Sequence, residues 1–291
     1  MNHSGVSVGP RAEFDPPLTV CPLCASERIT EFATDHRGVK ISRCKSCSLF
    51  FMNPQYTSEC LSEYYSHYTG HDPVQLQSGY VGIRAKRKRL NLALLTRFVR
   101  HGGKILSIGC GDGLELVLAR EMGFEVEAYD VDVEAAKAVE IATGVRVFTG
   151  DLFASGLRRE SYDCVILDQV LEHPKNPGAY LGLIRDLLTA DGVCYIGVPN
   201  IGSLSNRWKT VRDRIGLRPP SRMGRHYDTW HHLHYYQPRC FQSALARLYG
   251  LDVLSIVGDP DPDCNPVIYR LRRMFPVIES SMIVIAKKSR S

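Results

Sequence analysis

The stretch Lys104-Ile105-Leu106-Ser107-Ile108-Gly109-Cys110-Gly111-Asp112-Gly113-Leu114-Glu115 decides the fold of this 291-residue chain. It reads as a short apolar strand, a turn with three glycines and the first turn of a helix. The glycines remove Cβ atoms where the backbone must turn tightly and where a ligand must approach it. The helix that follows directs its unpaired N–H groups, and the positive end of its dipole, toward that ligand. The turn predicts a nucleotide-type ligand, although several classes of protein share it.

Three further strands follow the glycine turn, and each ends in an acidic residue. The second strand of the pattern ends at Asp130, about 20 residues beyond the turn, where a ribose diol would be held. The third strand ends at Asp151 and the fourth at Asp168. Strands that alternate with helical patterns predict a parallel sheet with helices on both faces. Because the carboxyl ends of parallel strands meet at one edge of a sheet, we expect these acids to line one cleft.

Two motifs later in the chain make the pattern more specific. Leu171-Glu172-His173 follows the fourth strand, and Val198-Pro199-Asn200 ends the fifth. With these motifs the chain resembles the class I S-adenosylmethionine-dependent methyltransferases, best over residues 80–200. The resemblance implies a Rossmann-like α/β fold, with a mostly parallel seven-stranded sheet and helices on both faces. It also implies S-adenosylmethionine as the cofactor.

The resemblance assigns the parts of the cofactor to particular positions. The glycine turn would hold the methionine part of the cofactor. The end of the second strand would bind the ribose, and the end of the third strand would bind the adenine edge. The end of the fourth strand would line the cleft near the methionine amine. An arginine in the preceding helix could pair with the methionine carboxylate. The family usually has Asp or Glu at the position of Ser107, and a serine hydroxyl is a weaker partner for an ammonium group. The expected cofactor-binding residues are Arg84, Ser107, Gly109, Cys110, Gly111, Asp130, Val131, Asp151, Leu152, Asp168 and Gln169.

Histidines are the candidates for the general base. His173 follows the fourth strand and should lie near the transferred methyl group, where a histidine with a pKa near neutrality could deprotonate an acceptor hydroxyl. The alternative is that His173 only caps the turn before Pro174. His232 and His234 compete for the role because they lie in the segment predicted to cover the substrate. A metal site at His231, His232 and His234 is disfavoured, because no carboxylate is suitably placed close by.

Residues 18–55 are predicted to form a zinc ribbon. Cys21-Pro22-Leu23-Cys24 and Cys44-Lys45-Ser46-Cys47 are two C-x-x-C pairs with 19 residues between them. Four thiolates at this spacing can surround one Zn²⁺, and disulfides or a redox pair are less favoured. The segment is too short to bury a core without such a support. Because four sulfur ligands leave no open position, the zinc should be structural.

The composition of the chain suggests further units around these motifs. We expect a disordered tail at residues 1–17, a helical linker or cap at 56–100 and a methyltransferase domain at 101–291. A substrate lid is expected as an insertion at 201–237. The lid carries seven Lys and Arg residues and two Asp, and seven minus two gives +5, equal to the net charge of the chain. A lid of this charge favours a small anionic acceptor that bears a phosphate or a carboxylate.

The sequence therefore predicts a methyltransferase that acts on a small, anionic sugar or natural product, with O-methylation favoured over C-methylation. Leu49 to Pro54, "LFFMNP", resembles a bacterial subgroup that includes sugar-tailoring enzymes. One alternative is a ribosomal RNA methyltransferase, because some of these enzymes join a zinc module beginning "CPLC" to this fold. The basic lid and residues 84–89 would then contact phosphates. A second alternative is a non-catalytic, cofactor-binding regulatory protein, which only Ser107 supports.

The hydropathy of the chain and its first residues indicate where in the cell the protein is expected. No apolar run approaches the length of a membrane span, and the first 17 residues lack the pattern of a signal peptide. A cytoplasmic location without a membrane partner is therefore expected. The sequence does not predict an oligomeric state.

Overall fold

The computed structural model describes residues 13–66 and 81–289. The strands are β1 (Ile29–Thr34), β2 (Lys40–Cys44), β3 (Phe50–Met52), β4 (Lys104–Ile108), β5 (Glu125–Tyr129), β6 (Val147–Phe148), β7 (Tyr162–Asp168), β8 (Leu188–Pro199), β9 (His234–Tyr235), β10 (Leu251–Gly258) and β11 (Ser281–Lys288). The helices are α1 (Ser58–Ser66), α2 (Val81–Leu92), α3 (Leu114–Glu121), α4 (Val133–Thr143), α5 (Pro177–Leu187), α6 (Leu204–Arg214), α7 (Pro238–Tyr249) and α8 (Pro266–Met274). None of the helices in these two described ranges is long and apolar enough to cross a membrane.

The larger sheet has seven strands in the order β10-β11-β8-β7-β4-β5-β6. The pairs from β8 to β6 are parallel, whereas β11 is antiparallel to both β8 and β10. The central strands β4 and β7 are apolar and buried along most of their length, because helices cover both faces of the sheet. This arrangement confirms the predicted Rossmann-like fold with a mostly parallel sheet.

Local signals fix where the helices of this layer begin. α3 follows Gly113, whose left-handed backbone turns the chain from β4 into the helix. Asp132 caps α4, since its side chain accepts the N–H groups of Glu134 and Ala135. Asn176 caps α5 in the same way, and Pro177 occupies its first turn. These starts direct the helix N-termini toward the carboxyl edge of the sheet.

The smaller sheet is antiparallel and has the order β1-β2-β3-β9. Its last strand comes from the predicted lid, with Phe51 opposite His234 and Phe50 opposite Tyr235. The sequence did not predict this pairing, because a two-residue strand has no readable periodicity. The side chains between the two sheets form one apolar core that includes Cys47, Leu49, Tyr236 and Phe241.

The start of the chain differs in part from the expected tail. Residues 1–12 lie outside the described residues. Residues 13–15 lie against residues 55–57, where the Asp15 N–H donates to the Gln55 carbonyl at 2.9 Å. The ring of Phe14 stacks on Tyr56 with 5.0 Å between centroids. A backbone bond and a ring contact thus hold a segment that composition alone had assigned to the tail.

Candidate active site and cysteine cluster

The glycine turn between β4 and α3 needs glycine for two physical reasons. Gly109 and Gly113 have φ values of +74° and +80°, which side-chain-bearing residues rarely adopt. A Cβ at Gly109 would lie 2.5 Å from Cγ2 of Val170, and one at Gly113 would lie 2.8 Å from Cγ1 of Val139. The turn is therefore a backbone cradle at the carboxyl edge of the sheet, where Gly109 is exposed.

Asp130, at the end of β5, is tied to this turn. Its Oδ2 accepts the N–H of Gly111 at 3.1 Å, and its Oδ1 accepts the N–H of Asp132 at 3.1 Å. The thiol of Cys110 also contacts Oδ2. Burial is the larger cause, and the charge of Asp130 the smaller one, that raises the pKa of this thiol. The next side chain, Val131, is exposed. The structure thus brings together four of the positions expected to bind the cofactor.

Asp151 lies at the end of the neighbouring strand β6. Its carboxylate caps a short 3₁₀ turn by accepting the N–H of Phe153 at 3.0 Å. Leu152 is buried, whereas the ring of Phe153 is 54% exposed and packs edge-on against Tyr180. Asp151 therefore stands at the same edge of the sheet as Asp130.

Arg84, on α2, reaches the glycine turn. Its two Nη atoms donate to the two carboxylate oxygens of Asp112, with Nη2 2.8 Å from Oδ1. Burial opposes the charge of Asp112, but the Arg84 guanidinium outweighs it and lowers the pKa of the carboxyl group. Arg84 thus lies next to the turn, and an acidic residue of the turn already contacts it.

A second charged group, which the sequence analysis missed, lies beneath the turn. Nζ of Lys88 is 2.8 Å from Oδ2 of Asp168 and 3.1 Å from Oε2 of Glu115. The hydroxyl of Ser107 donates to Oε1 of Glu115 at 2.8 Å. Although burial opposes the charge of Lys88, the two carboxylates raise its pKa. The sequence did contain a signal for this group, namely Glu115 in the first turn of α3. That turn brings the Glu115 side chain back over the end of β4.

Beyond Asp168, the chain makes a sharp turn that leads to the histidines. Gln169 has a left-handed backbone, with φ of +61°, and its N–H donates to the Gly197 carbonyl at 2.8 Å. The side chain of Gln169 is exposed. This turn directs the following residues, including His173, over the carboxyl edge of the sheet.

Three imidazoles meet above this edge. His173, His231 and His232 each place one ring nitrogen within 4.8 Å of the other two. Glu172 is fully buried beside them, and its Oε1 lies 3.9 Å from Nε2 of His232. Burial raises the pKa of Glu172 to about 8 and lowers that of His173 to about 4. Burial also lowers the pKa of His232, so His173 and His232 are neutral at pH 7.

His234 does not join this cluster. It is buried in β9, where its Nε2 lies 3.3 Å from Nε2 of Gln55. Burial lowers its pKa to about 3. Of the three predicted base candidates, the structure therefore brings His173 and His232 together and places His234 against the last residue of the predicted ribbon. The metal grouping weighed from the sequence also changes, because His173 takes the place of His234 and a carboxylate, Glu172, lies close by.

The four cysteines of the predicted ribbon converge. Sγ of Cys21 is 3.6 Å from Sγ of Cys47, and the same distance separates Cys24 and Cys44. All four are free thiols whose sulfurs lie within 4.8 Å of one another. Two sulfurs bound to one Zn²⁺ at about 2.3 Å would lie about 3.8 Å apart in a tetrahedron. Two backbone N–H groups also point at Sγ of Cys44, from 3.3 and 3.4 Å. The four sulfurs therefore fit a tetrahedral zinc ion.

The basic residues of the lid have mixed surroundings. Arg218 pairs with Asp213 at 3.1 Å, and the Arg214 guanidinium lies 4.4 Å from the centroid of Phe32. Other arginines of the lid are exposed: Arg207, Arg212, Arg222 and Arg225. Part of the positive charge is therefore used within the protein, and part faces solvent.

Comparison with known proteins agrees with this geometry. Residues 83–256 match the family described as Methyltransferase domain. A ubiquinone biosynthesis O-methyltransferase of Caulobacter vibrioides is 31% identical over 122 residues, which cover 36% of this chain and 48% of that protein. A second, from Caulobacter sp. strain K31, has the same identity and coverage. The chain thus spans about half the length of the curated relatives it matches.

Two solved structures show the similarity of fold. A chain from the complex between the Haloferax volcanii Trm112 methyltransferase activator and a methyltransferase aligns with a TM-score of 0.52 and 14% identity, over 77% of this chain and 99% of that one. A SAM-dependent methyltransferase from Methanosarcina mazei aligns with a TM-score of 0.50 and 15% identity, over 68% of this chain and 98% of that one. At these identities the similarity concerns the fold.

Proposed function

The chain belongs to the methyltransferase-domain family, and from this premise we propose that it transfers a methyl group from S-adenosylmethionine to a small acceptor. The observation that carries the proposal is the meeting of the glycine cradle, Asp130 and Asp168 at the carboxyl edge of one parallel sheet. S-adenosylmethionine, when bound, supplies a methyl group on a sulfonium that a nucleophile can displace in line. The protein's part is to hold and align the two molecules.

The nucleoside end of the cofactor is assigned to the ends of β5 and β6. Asp130 would accept hydrogen bonds from the ribose hydroxyls, because its carboxylate stands beside the cradle. Asp151 and the backbone of Leu152 would face the adenine edge. The exposed ring of Phe153 lies next to them and offers an apolar surface for the base. The exposed Val131 would pack against the other side of the nucleoside.

The methionine end is assigned to the charged group beneath the turn. Glu115 would supply the carboxylate that the family usually has at the position of Ser107, and the Ser107 hydroxyl would hold it in place. Glu115 and Asp168 carry two negative charges and Lys88 one positive charge, which leaves −1 for the ammonium group of the ligand to balance. Asp112 engages two nitrogens of Arg84, and a guanidinium has five N–H donors, so Arg84 retains donors for the methionine carboxylate.

The acceptor is assigned to the space between the cradle and the lid at residues 201–237. We favour an oxygen nucleophile, because the imidazoles of His173 and His232 lie there, where they can serve either as a base or as metal ligands that activate a hydroxyl. The exposed arginines of the lid support an anionic acceptor. A phosphate- or carboxylate-bearing sugar or natural product fits both features.

A structural zinc ion at Cys21, Cys24, Cys44 and Cys47 completes the proposal. The converging thiols and the N–H groups directed at Cys44 support it. Zinc would add folding energy to a small sheet and leave no position for substrate. The proposed units remain a ribbon at 18–55, a helical cap at 56–100 and a methyltransferase domain at 101–291.

Two measurements test the function. Calorimetry with S-adenosylhomocysteine should show binding at one site per chain, and absence of binding to the folded protein would refute the proposal. Labelled methyl groups should then enter the small-molecule fraction of a metabolite-replenished extract, with or without ribonuclease. Ribonuclease-sensitive label in macromolecules would instead identify an RNA methyltransferase. Cofactor binding without transfer to any fraction would favour the regulatory alternative.

A further inference from the structure

We propose that His173, His231 and His232 form a second metal site, which binds a divalent transition-metal ion beside the acceptor. The ion itself is inferred from side-chain geometry. Only its suggested action on an oxygen acceptor rests on the proposed function. The site is distinct from the cysteine cluster, since the two share none of their ligands.

Backbone contacts hold the two segments that carry the histidines. His173 follows β7, whereas His231 and His232 lie in the lid, 58 and 59 residues further along the chain. The N–H groups of Leu233 and His234 both donate to the Glu172 carbonyl, at 2.9 and 3.1 Å. These bonds keep the lid histidines next to His173 by main-chain contacts, which do not depend on the imidazoles themselves. The cluster is therefore placed by the fold.

The spacing of the ring nitrogens suits an ion after a small adjustment. One nitrogen from each histidine lies within 4.8 Å of the other two. Three nitrogens bound tetrahedrally to one ion at about 2.0–2.1 Å would lie about 3.4 Å apart. Side-chain rotations that move each nitrogen by about 1 Å would close this difference, so no change in the backbone is required.

Each imidazole has one nitrogen facing an acceptor, as metal-bound histidines usually do. Nδ1 of His173 faces the His231 carbonyl at 3.3 Å. Nε2 of His231 lies 4.0 Å from Oδ2 of Asp228, and Nε2 of His232 lies 3.9 Å from Oε1 of Glu172. In the proposed site, the other nitrogen of each ring would be the ligand. For His231 this is Nδ1, which is 3.3 Å from the Tyr64 hydroxyl, so that hydroxyl would move aside.

Glu172 provides the second, independent observation. Its side chain is 0% exposed, and neither carboxylate oxygen accepts a hydrogen bond from another residue in the described ranges. A buried carboxyl group without such partners is costly, and a positive charge beside it would offset that cost. A divalent ion bound to His232 would supply that charge, and Glu172 would then fix the orientation of the ring.

The ligand set indicates the kind of ion and its role. Imidazole ligands suit Zn²⁺, Fe²⁺, Co²⁺ or Ni²⁺ better than Mg²⁺, which prefers oxygen ligands. Three protein ligands leave at least one open position, as in catalytic zinc sites. A hydroxyl group of the acceptor that binds there would have a lower pKa and could lose its proton to water. The oxygen would then be ready for methyl transfer without a strong base.

Cobalt titration of the full chain, purified with zinc in the cysteine cluster, tests the site. One equivalent of Co²⁺ should bind and give visible absorption typical of nitrogen and oxygen ligands. His173→Ala and His231→Asn should each weaken Co²⁺ binding at least tenfold. His101→Ala removes an exposed histidine outside the cluster and should bind Co²⁺ as the wild type does. Zinc released into the filtrate, together with sulfur-to-cobalt absorption, would show that Co²⁺ had replaced zinc at the cysteines. This amount of Co²⁺ is subtracted from the total bound.

Each outcome decides the proposal. Binding of Co²⁺ that the histidine variants lose, while the His101 variant keeps it, supports the site. No Co²⁺ beyond that exchanged at the cysteines, or equal binding by folded histidine variants, overturns it. Calorimetry with S-adenosylhomocysteine on the same samples separates this result from the proposed function. A protein that binds the nucleoside and no Co²⁺ would refute the metal site alone, and the reverse result would refute the function alone.

Discussion

Replacing Glu115 with glutamine tests whether the methionine ammonium group is held by a carboxylate that lies eight positions from the usual one. In the structure, Glu115 is buried and accepts the Ser107 hydroxyl at 2.8 Å and the Lys88 ammonium at 3.1 Å. Glutamine keeps the shape and removes the charge. The group would then carry one negative and one positive charge, so the ammonium group of the cofactor would have no excess charge to balance.

The size of the effect follows from this change. A hydrogen bond to a charged group contributes about 1.5–3 kcal/mol, whereas a neutral one contributes about 0.5–1.5 kcal/mol. Losing the charge should therefore cost about 1.4 kcal/mol, which is about tenfold in affinity. The assay is calorimetric titration with S-adenosylhomocysteine, whose amino group is the same and which needs no acceptor. Glu121→Gln is the matched control, because Glu121 lies on the same helix with its side chain 48% exposed.

A second substitution, at Ser107, tests the same assignment of the ammonium site more strictly. Ser107→Asp alone should destabilise the protein, because it sets two carboxylates side by side where a 2.8 Å hydrogen bond now exists. In the Glu115→Gln background the same substitution should restore affinity to within about threefold of wild type, since it returns the charge. Unchanged affinity in a folded Glu115→Gln protein would refute the assignment, as would failure of the double variant to recover.

Three other substitutions have defined outcomes. Asp130→Asn should weaken binding of S-adenosylhomocysteine by about tenfold in the same assay, because a neutral amide replaces the charged acceptor assigned to the ribose; unchanged affinity would remove that assignment. Gly109→Ala should lower the free energy of unfolding in urea by about 2 kcal/mol or more, because φ is +74° and the new Cβ would lie 2.5 Å from Val170. Adding Val170→Ala should restore part of this loss. If stability does not recover, the cause is not steric. Cys44→Ser should abolish retention of zinc by the cysteine cluster and lower the thermal midpoint, whereas Cys264→Ser, outside the cluster, should do neither; full zinc retention by the Cys44 variant would contradict a four-sulfur site.

The parts of the candidate site whose residues the structure brings together as the sequence led us to expect are those built from local patterns. The turn around Gly109 is readable because strand, glycines and helix follow one another without a break. The pairing of Cys21 and Cys24 with the second C-x-x-C is readable because zinc chemistry fixes both spacings. The strand-end position of Asp130 follows from the parallel sheet, which brings every strand end to one edge.

The parts that were not predicted depend on contacts across long separations. Glu115 reaches the Ser107 hydroxyl only because the first turn of α3 folds back over β4. Lys88 lies in the basic stretch at residues 84–89, for which the sequence suggested phosphate contacts in one alternative, yet it is held between two acids, because α2 packs on the glycine turn. His173 meets the lid histidines through main-chain bonds to the Glu172 carbonyl, which no spacing rule contains.

One sheet contains strands from both the predicted ribbon and the predicted lid, and this affects how the proposed acceptor specificity could change. Both ends of the lid are anchored, at one end by the Ile201 N–H to the Tyr236 carbonyl and at the other by the pairing of β9 with β3. Insertions, deletions or grafts between residues 204 and 230 would leave these anchors intact. If this segment covers the acceptor as proposed, exchanging it would change specificity, while β3 would keep the same pairing with β9 whichever segment is present.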